Sequence, residues 1–157
     1  MARAKESEPY LAHDLSWKPS GRKVFQSSED VAAYFGPRLK ALSQERMYVV
    51  MLDSRNRVVK IVLAAQGSIH AASLAPADIF RPALRTTAAV AAIILVHNHP
   101  SGDPTPSHLD WTFTQRMRDA GNIIGIPIVD HVIVGRDGSA SLHFEKPACR
   151  PLLLGPR

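Results

Sequence analysis

Residues 91–96 read Ala-Ala-Ile-Ile-Leu-Val, six apolar positions in a row, and the run ends on His97-Asn98-His99-Pro100. A strand with one wet face alternates apolar and polar residues, whereas an unbroken apolar run suits a strand covered on both faces. This strand is therefore expected at the centre of a sheet. Its polar end is expected at the sheet's rim.

The rest of the chain supplies elements to build around it. Ser27 or Ser28 offers a helix cap before Glu29 and Asp30, and Val31, Tyr34, Phe35, Leu39 and Leu42 follow at helical spacing. This predicts a helix over 28–42, with Gly36-Pro37 as a potential kink. Strands are expected over 46–53 and 58–65, joined as a hairpin by Ser54-Arg55-Asn56-Arg57, with a short third strand in 67–73. Pro76 opens a helix over 76–88. A second helix over 108–124 carries Leu109, Phe113, Met117, Ala120 and Ile124 on one stripe, and Gly125 ends it. Strands over 126–134 and 139–144 complete an α/β sandwich around a mixed sheet.

With 157 residues, 45% of them hydrophobic, the chain is expected to form one domain. Residues 1–23 read as a polar, poorly ordered arm, with docking of parts of it through Tyr10, Leu11, Leu15 and Trp17 as the alternative; residues 24–146 are expected to form the body and 147–157 a tail. One cysteine, Cys149, rules out an internal disulfide and fits a cytoplasmic location. No apolar run has the length of a membrane span, and the start is unlike a secretory signal. The net charge of +5 is compatible with nucleic acid or another acidic partner. Oligomeric state is not legible.

The chemistry concentrates in 97–110. In extended chain, residues i and i+2 point to one side, so His97 and His99 leave the sheet together. Pro100 disfavours a helical turn at His99. If Ser107 caps the next helix, Asp110 is its third residue and faces back toward the strand end. Two histidines, a carboxylate and a water make an open tetrahedral zinc site, although the same set suits iron. Ser107 and Asp110 also match S-x-x-D, an ordinary capping pattern. Of five glutamates, Glu45 starts the strand at 46. If that strand runs antiparallel to 91–97, Glu45 lies near His97, where it could act as the base for a metal-bound water. Glu145 competes for that role, and an idle surface acid is the plain alternative. Ser107 could donate to an oxyanion. Asn98 points away from its flanking histidines and reads as a loop tie. Asp130 and His131 face opposite sides of a strand, Asp130 reading as a structural acid. His108 reads as exposed, and His13, His70 and His143 as surface or packing residues.

The run HNHPSGDPTPS at 97–107, followed by Asp110, Ala120-Gly121, Ile124-Gly125-Ile126 and Asp130-His131-Val132-Ile133-Val134-Gly135, resembles the RadC-like branch of the JAMM/MPN metalloprotease superfamily. The likeness spans about 24–145. It implies a three-layer α/β/α, cytidine-deaminase-like fold, with zinc on His97, His99 and Asp110, Glu45 as base and Ser107 stabilising the tetrahedral intermediate. It also implies hydrolysis of peptide or isopeptide bonds in a protein substrate. The branch is associated with DNA repair and usually carries a helix-hairpin-helix region upstream; this sequence shows only its short arm there, which weakens the expectation of an inherited DNA role. Pro76-Ala77-Asp78 stands where Pro-Arg-Glu is usual. A DNA-associated metalloprotein or nuclease and a non-catalytic interaction module are the alternatives. A zinc nucleobase deaminase needs P-C-x-x-C, which a single cysteine excludes.

Overall fold

The computed structural model describes residues 16–17, 23–67 and 74–143. The expected strand in 67–73 falls almost wholly outside these residues, as do most of the arm, the tail, His13, His70, Glu145 and Cys149.

Among the described residues six strands form one mixed sheet: β1 (Ser16–Trp17), β2 (Arg46–Leu52), β3 (Val58–Gln66), β4 (Ala92–Asn98), β5 (Ile128–Val134) and β6 (Ser139–Ser141). Their order across the sheet is β1-β3-β2-β4-β5-β6. Only β4 and β5 are parallel. The helices are α1 (Ser28–Leu39), α2 (Pro76–Arg85) and α3 (His108–Ile124). Two residues of the arm thus belong to the sheet edge, pairing with Ile61 and Val62.

Alternation along the strands sorts side chains into two cores. Tyr48, Val50, Leu52, Ile94 and Val96 pack with Val31, Phe35 and Leu39 of α1. Met47, Val49, Met51, Ile93 and Leu95 pack with Ile79 and Phe80 of α2 and with Phe113 and Met117 of α3. The fold is therefore a three-layer α/β/α sandwich, and all seven residues of β4 are buried. That is the outcome expected for the unbroken apolar run.

Helix ends depart from expectation at two places. α1 stops at Leu39 rather than 42, where the Lys40 N–H reaches the Gly36 carbonyl at 3.0 Å and the Leu42 N–H turns back to Leu39 at 3.1 Å. Pro37 is accommodated inside the helix without ending it at once. Gly36 before it lacks the Cβ that a proline ring would crowd. α2 stops at Arg85 rather than 88, because Thr86 is extended (φ −79°, ψ 147°) and its Oγ1 accepts from the Ala88 N–H at 3.2 Å. At the start of α2, Asp78 Oδ2 accepts the Ala75 N–H at 2.8 Å, so this acid serves as a cap.

The loop after β4 is seated on the end of β5. His99 N–H bonds the Val134 carbonyl and Arg136 N–H bonds the Gly102 carbonyl, both at 2.9 Å. A Cβ on Gly135 would collide with the Gly102 carbonyl oxygen and come within 2.8 Å of Pro104 N and Cδ. None of these is the end of a flexible side chain. Gly135→Ala is therefore expected to displace the 99–105 loop and to cost about 1–3 kcal/mol, the usual range for overpacking. Denaturant unfolding reads the cost; a loss under about 0.5 kcal/mol would show that the loop slides freely.

Asp130 is 5% exposed on the α1 face of β5, where its Oδ1 accepts from Ser141 Oγ and from the His131 N–H, both at 2.7 Å. Burial raises its pKa against the opposing pull of these two hydrogen bonds. The unfolded chain thus releases this proton at lower pH than the folded one. Stability is lost as pH rises from the ordinary carboxyl range through the raised folded value. Asparagine keeps the accepting carbonyl and removes the ionisation. Asp130→Asn is expected to raise Tm at about pH 8 and to lose that advantage near pH 3. An equal gain at both pH values would separate the effect from ionisation.

Candidate metal centre

Two strand ends and a helix start meet at this site. β2 and β4 are antiparallel with Met47 opposite His97, which puts Glu45 beside the end of β4. His97 is 1% exposed at the last inward-facing position of β4. His99 follows on the same side, and α3 begins under both with Ser107 as its N-cap.

The donor atoms converge. His97 Nε2 and His99 Nε2 are 2.9 Å apart. Asp110 Oδ1 lies 3.3 Å from His97 Nε2, and Oδ2 lies 3.3 Å from His99 Nε2. Donors held at about 2.0–2.1 Å from one tetrahedral ion stand roughly 3.3 Å from one another. Glu45 Oε1 is 3.7 Å from His97 Nε2. Glu45, His97 and His99 offer three ligand atoms within 4.8 Å of one another. The carboxylate of Asp110 approaches both imidazoles more closely than Glu45 approaches His97, so either acid could complete a ligand set with the two histidines.

Both imidazoles are oriented for this. His99 Nδ1 donates to the Asp103 carbonyl at 2.9 Å, leaving Nε2 with a lone pair toward the site. Asp103 in turn is fixed by its side chain, which accepts from Thr105 N–H at 2.9 Å and from Thr105 Oγ1 at 2.7 Å. The site's electrostatics favour positive charge. The hydrogen bond to Asp110 raises the His99 pKa, against the effect of burial and with help from the Asp103 carbonyl. Burial would lift Asp110, but the neighbouring imidazoles of His97 and His99 and the Ser107 N–H together hold its carboxyl far below the usual range.

Ser107 and Asp110 are also a capping box. Ser107 Oγ accepts the Asp110 N–H at 3.1 Å and Asp110 Oδ2 accepts the Ser107 N–H at 2.6 Å. The capping and site readings of these residues therefore hold at once: the cap aims the carboxylate at the imidazoles.

Asn98 ties the loop as expected, with a consequence for Glu45. Its Oδ1 accepts the Arg46 N–H at 2.8 Å and its Nδ2 donates to the Gln44 carbonyl at 3.0 Å. The amide clamps the backbone on both sides of Glu45, and Gly67 N–H holds the Glu45 carbonyl at 2.9 Å. His108 and His143 are exposed.

Sequence reasoning placed His131 no further than a strand. It lies behind His97, fully buried, with its Nε2 2.6 Å from His97 Nδ1. Burial lowers its pKa well below the ordinary value, so it is neutral. Parity gave the signal: His131 pairs with Leu95, which shares a face with His97, but this needs the β4–β5 register.

A family model for the RadC-like JAB domain matches residues 25–147. The chain belongs to the RadC-like JAB family. Curated relatives agree with it. A UPF0758 protein of Syntrophotalea carbinolica is 42% identical over 118 residues, covering 75% of this chain and 51% of the relative. One of Pelobacter propionicus is 38% identical over 140 residues, covering 86% and 60%. The UPF0758 protein TTE0897 of Caldanaerobacter subterraneus is 43% identical over 116 residues, covering 74% and 49%. The chain thus spans about half to three-fifths of the length of these relatives. Among the described residues no helix is long and apolar enough to cross a membrane.

Proposed function

We propose that this RadC-like JAB domain is a zinc-dependent hydrolase that cleaves a peptide or isopeptide bond with water. The supporting observation is the convergence of His97, His99 and Asp110 at 2.9–3.3 Å, with Glu45 beside them at 3.7 Å. In this reading Asp110 is the third ligand, because it approaches both imidazoles, and Glu45 is the base. Nitrogen and carboxylate donors of this kind suit zinc, with a fourth position left to substrate or water. Bound there, the ion supplies Lewis-acid activation of water and of the scissile carbonyl.

The chain's own groups supply the rest. Glu45, with its side chain 27% exposed, takes the proton from the attacking water and passes it to the leaving nitrogen. Ser107 Oγ accepts the Asp110 N–H through a lone pair, which leaves its hydroxyl hydrogen to donate to charge developing on the carbonyl oxygen. One cation, one base and one hydroxyl donor suit acyl transfer; phosphodiester cleavage more often uses paired metals. The substrate is accordingly a protein or peptide.

The test pairs elemental analysis with a cleavage screen over peptide, isopeptide-linked and nucleic-acid substrates in zinc buffer. About one zinc per wild-type chain is expected, with none in His97→Ala, and cleavage of a peptide or isopeptide bond that His97→Ala abolishes. Wild type that takes up no metal, or cleavage that survives His97→Ala, overturns the reading.

A further inference from the structure

Behind the metal centre lies a row of polar groups that the chemistry above does not use. His131 and Thr114 are both 0% exposed. His97 Nδ1 is 2.6 Å from His131 Nε2, and His131 Nδ1 is 2.6 Å from Thr114 Oγ1. Thr114 Oγ1 is 2.5 Å from the main-chain carbonyl oxygen of Asp110, one turn earlier in α3. The ring of Phe113 closes the same space, its centroid 6.2 Å from that of His131.

The hydrogens in this row can be arranged in one way. A carbonyl oxygen only accepts, so the Thr114 hydroxyl hydrogen goes to Asp110 O. That hydroxyl has no second hydrogen, so toward His131 it accepts, and His131 carries its hydrogen on Nδ1. A second hydrogen on His131 would put a full charge on a fully buried ring, so its Nε2 is a lone pair. His97 must then donate from Nδ1, and its own lone pair is on Nε2, the atom that faces His99 and Asp110. The helix backbone thereby dictates, through two side chains, which nitrogen of His97 is bare.

We propose that Thr114 and His131 are positioning residues that lock His97 in its Nδ1–H form and brace it against the main chain of Asp110. One buried strut then fixes two groups of the metal centre, one on β4 and one on α3. The role of the strut in metal affinity rests on the proposed function, since it takes His97 and Asp110 as ligands. The tautomer it imposes does not.

The test uses Thr114→Val, which keeps the shape and removes the hydroxyl, and Thr114→Ser, which restores it. Two readouts are needed. Nitrogen-15 NMR of the imidazoles in zinc-free protein is expected to find His131 and His97 both in the Nδ1–H form in wild type and Thr114→Ser. His97 is expected to become a mixture in Thr114→Val. Chelator competition is expected to show zinc affinity about 10–100-fold weaker in Thr114→Val and near wild type in Thr114→Ser. A wild-type His97 protonated on Nε2 overturns the proposal, and so does a folded Thr114→Val that binds zinc within twofold of wild type. If wild type itself takes up no zinc, the metal reading fails and the NMR tautomers alone decide whether the strut exists.

Discussion

Glu45→Gln is expected to lower turnover by about 10²–10⁴-fold while leaving the zinc content at the wild-type level. Glutamine keeps the size of the side chain and an accepting oxygen, so packing and the backbone clamp from Asn98 are preserved. It cannot take a proton at neutral pH. The metal should remain because His97, His99 and Asp110 are untouched. Zinc per chain and kcat on whichever peptide or isopeptide substrate the screen identifies are the two measurements. Loss of zinc in Glu45→Gln would exchange the roles of the two acids, making Glu45 a ligand. That outcome is a real alternative on geometry alone, since Glu45, His97 and His99 already lie within 4.8 Å of one another. Full turnover with full zinc would remove Glu45 from the mechanism.

The parts of this site that follow from local chain geometry were legible in the sequence. The run at 91–96 dictated a strand buried on both faces, and i, i+2 parity sent His97 and His99 to one side of it. The hairpin over 46–65 was legible, but its first strand's place beside 91–97 entered only as a condition, which the structure meets with Met47 opposite His97. Helix ends were less legible, because Thr86 and Leu42 satisfy backbone groups through turn bonds that periodicity does not reveal. What could not be read was anything set by register between distant strands. His131 meets His97 only because β5 runs parallel to β4 with His131 opposite Leu95, and no spacing encodes that pairing. The Asp103 carbonyl that orients His99 was equally hidden, since main-chain acceptors carry no residue signature. The ambiguity of Ser107 and Asp110 had another cause. A capping box and a metal-facing carboxylate use the same helix position, and here one side chain does both.

That double duty can be taken apart. Asp110→Ala removes the carboxylate from the metal centre and also the partner of the Ser107 N–H, so it should lose zinc and weaken the start of α3 by about 0.5–2 kcal/mol. Asp110→Asn keeps an oxygen for the Ser107 N–H and loses only the charge and the ligand. Its zinc affinity should still fall by more than about 100-fold, beyond the loss typical of groups that merely support a ligand. The comparison of stability must be made without metal and at a chosen pH. The hydrogen bond with Asp110 raises the His99 pKa, so the attraction between the imidazolium and the carboxylate is fully present below the unfolded histidine value and is lost as pH rises through the folded one. Below that point Asp110→Asn forfeits this attraction as well as the ligand. Well above the raised folded value of His99 that imidazole is neutral, and only the cap differs between the variants. There zinc-free Asp110→Asn is expected to unfold near wild type in denaturant, with Asp110→Ala about 0.5–2 kcal/mol below it. If both variants bound zinc like wild type, the carboxylate would be a cap alone, and the two histidines would need Glu45 to complete any metal site.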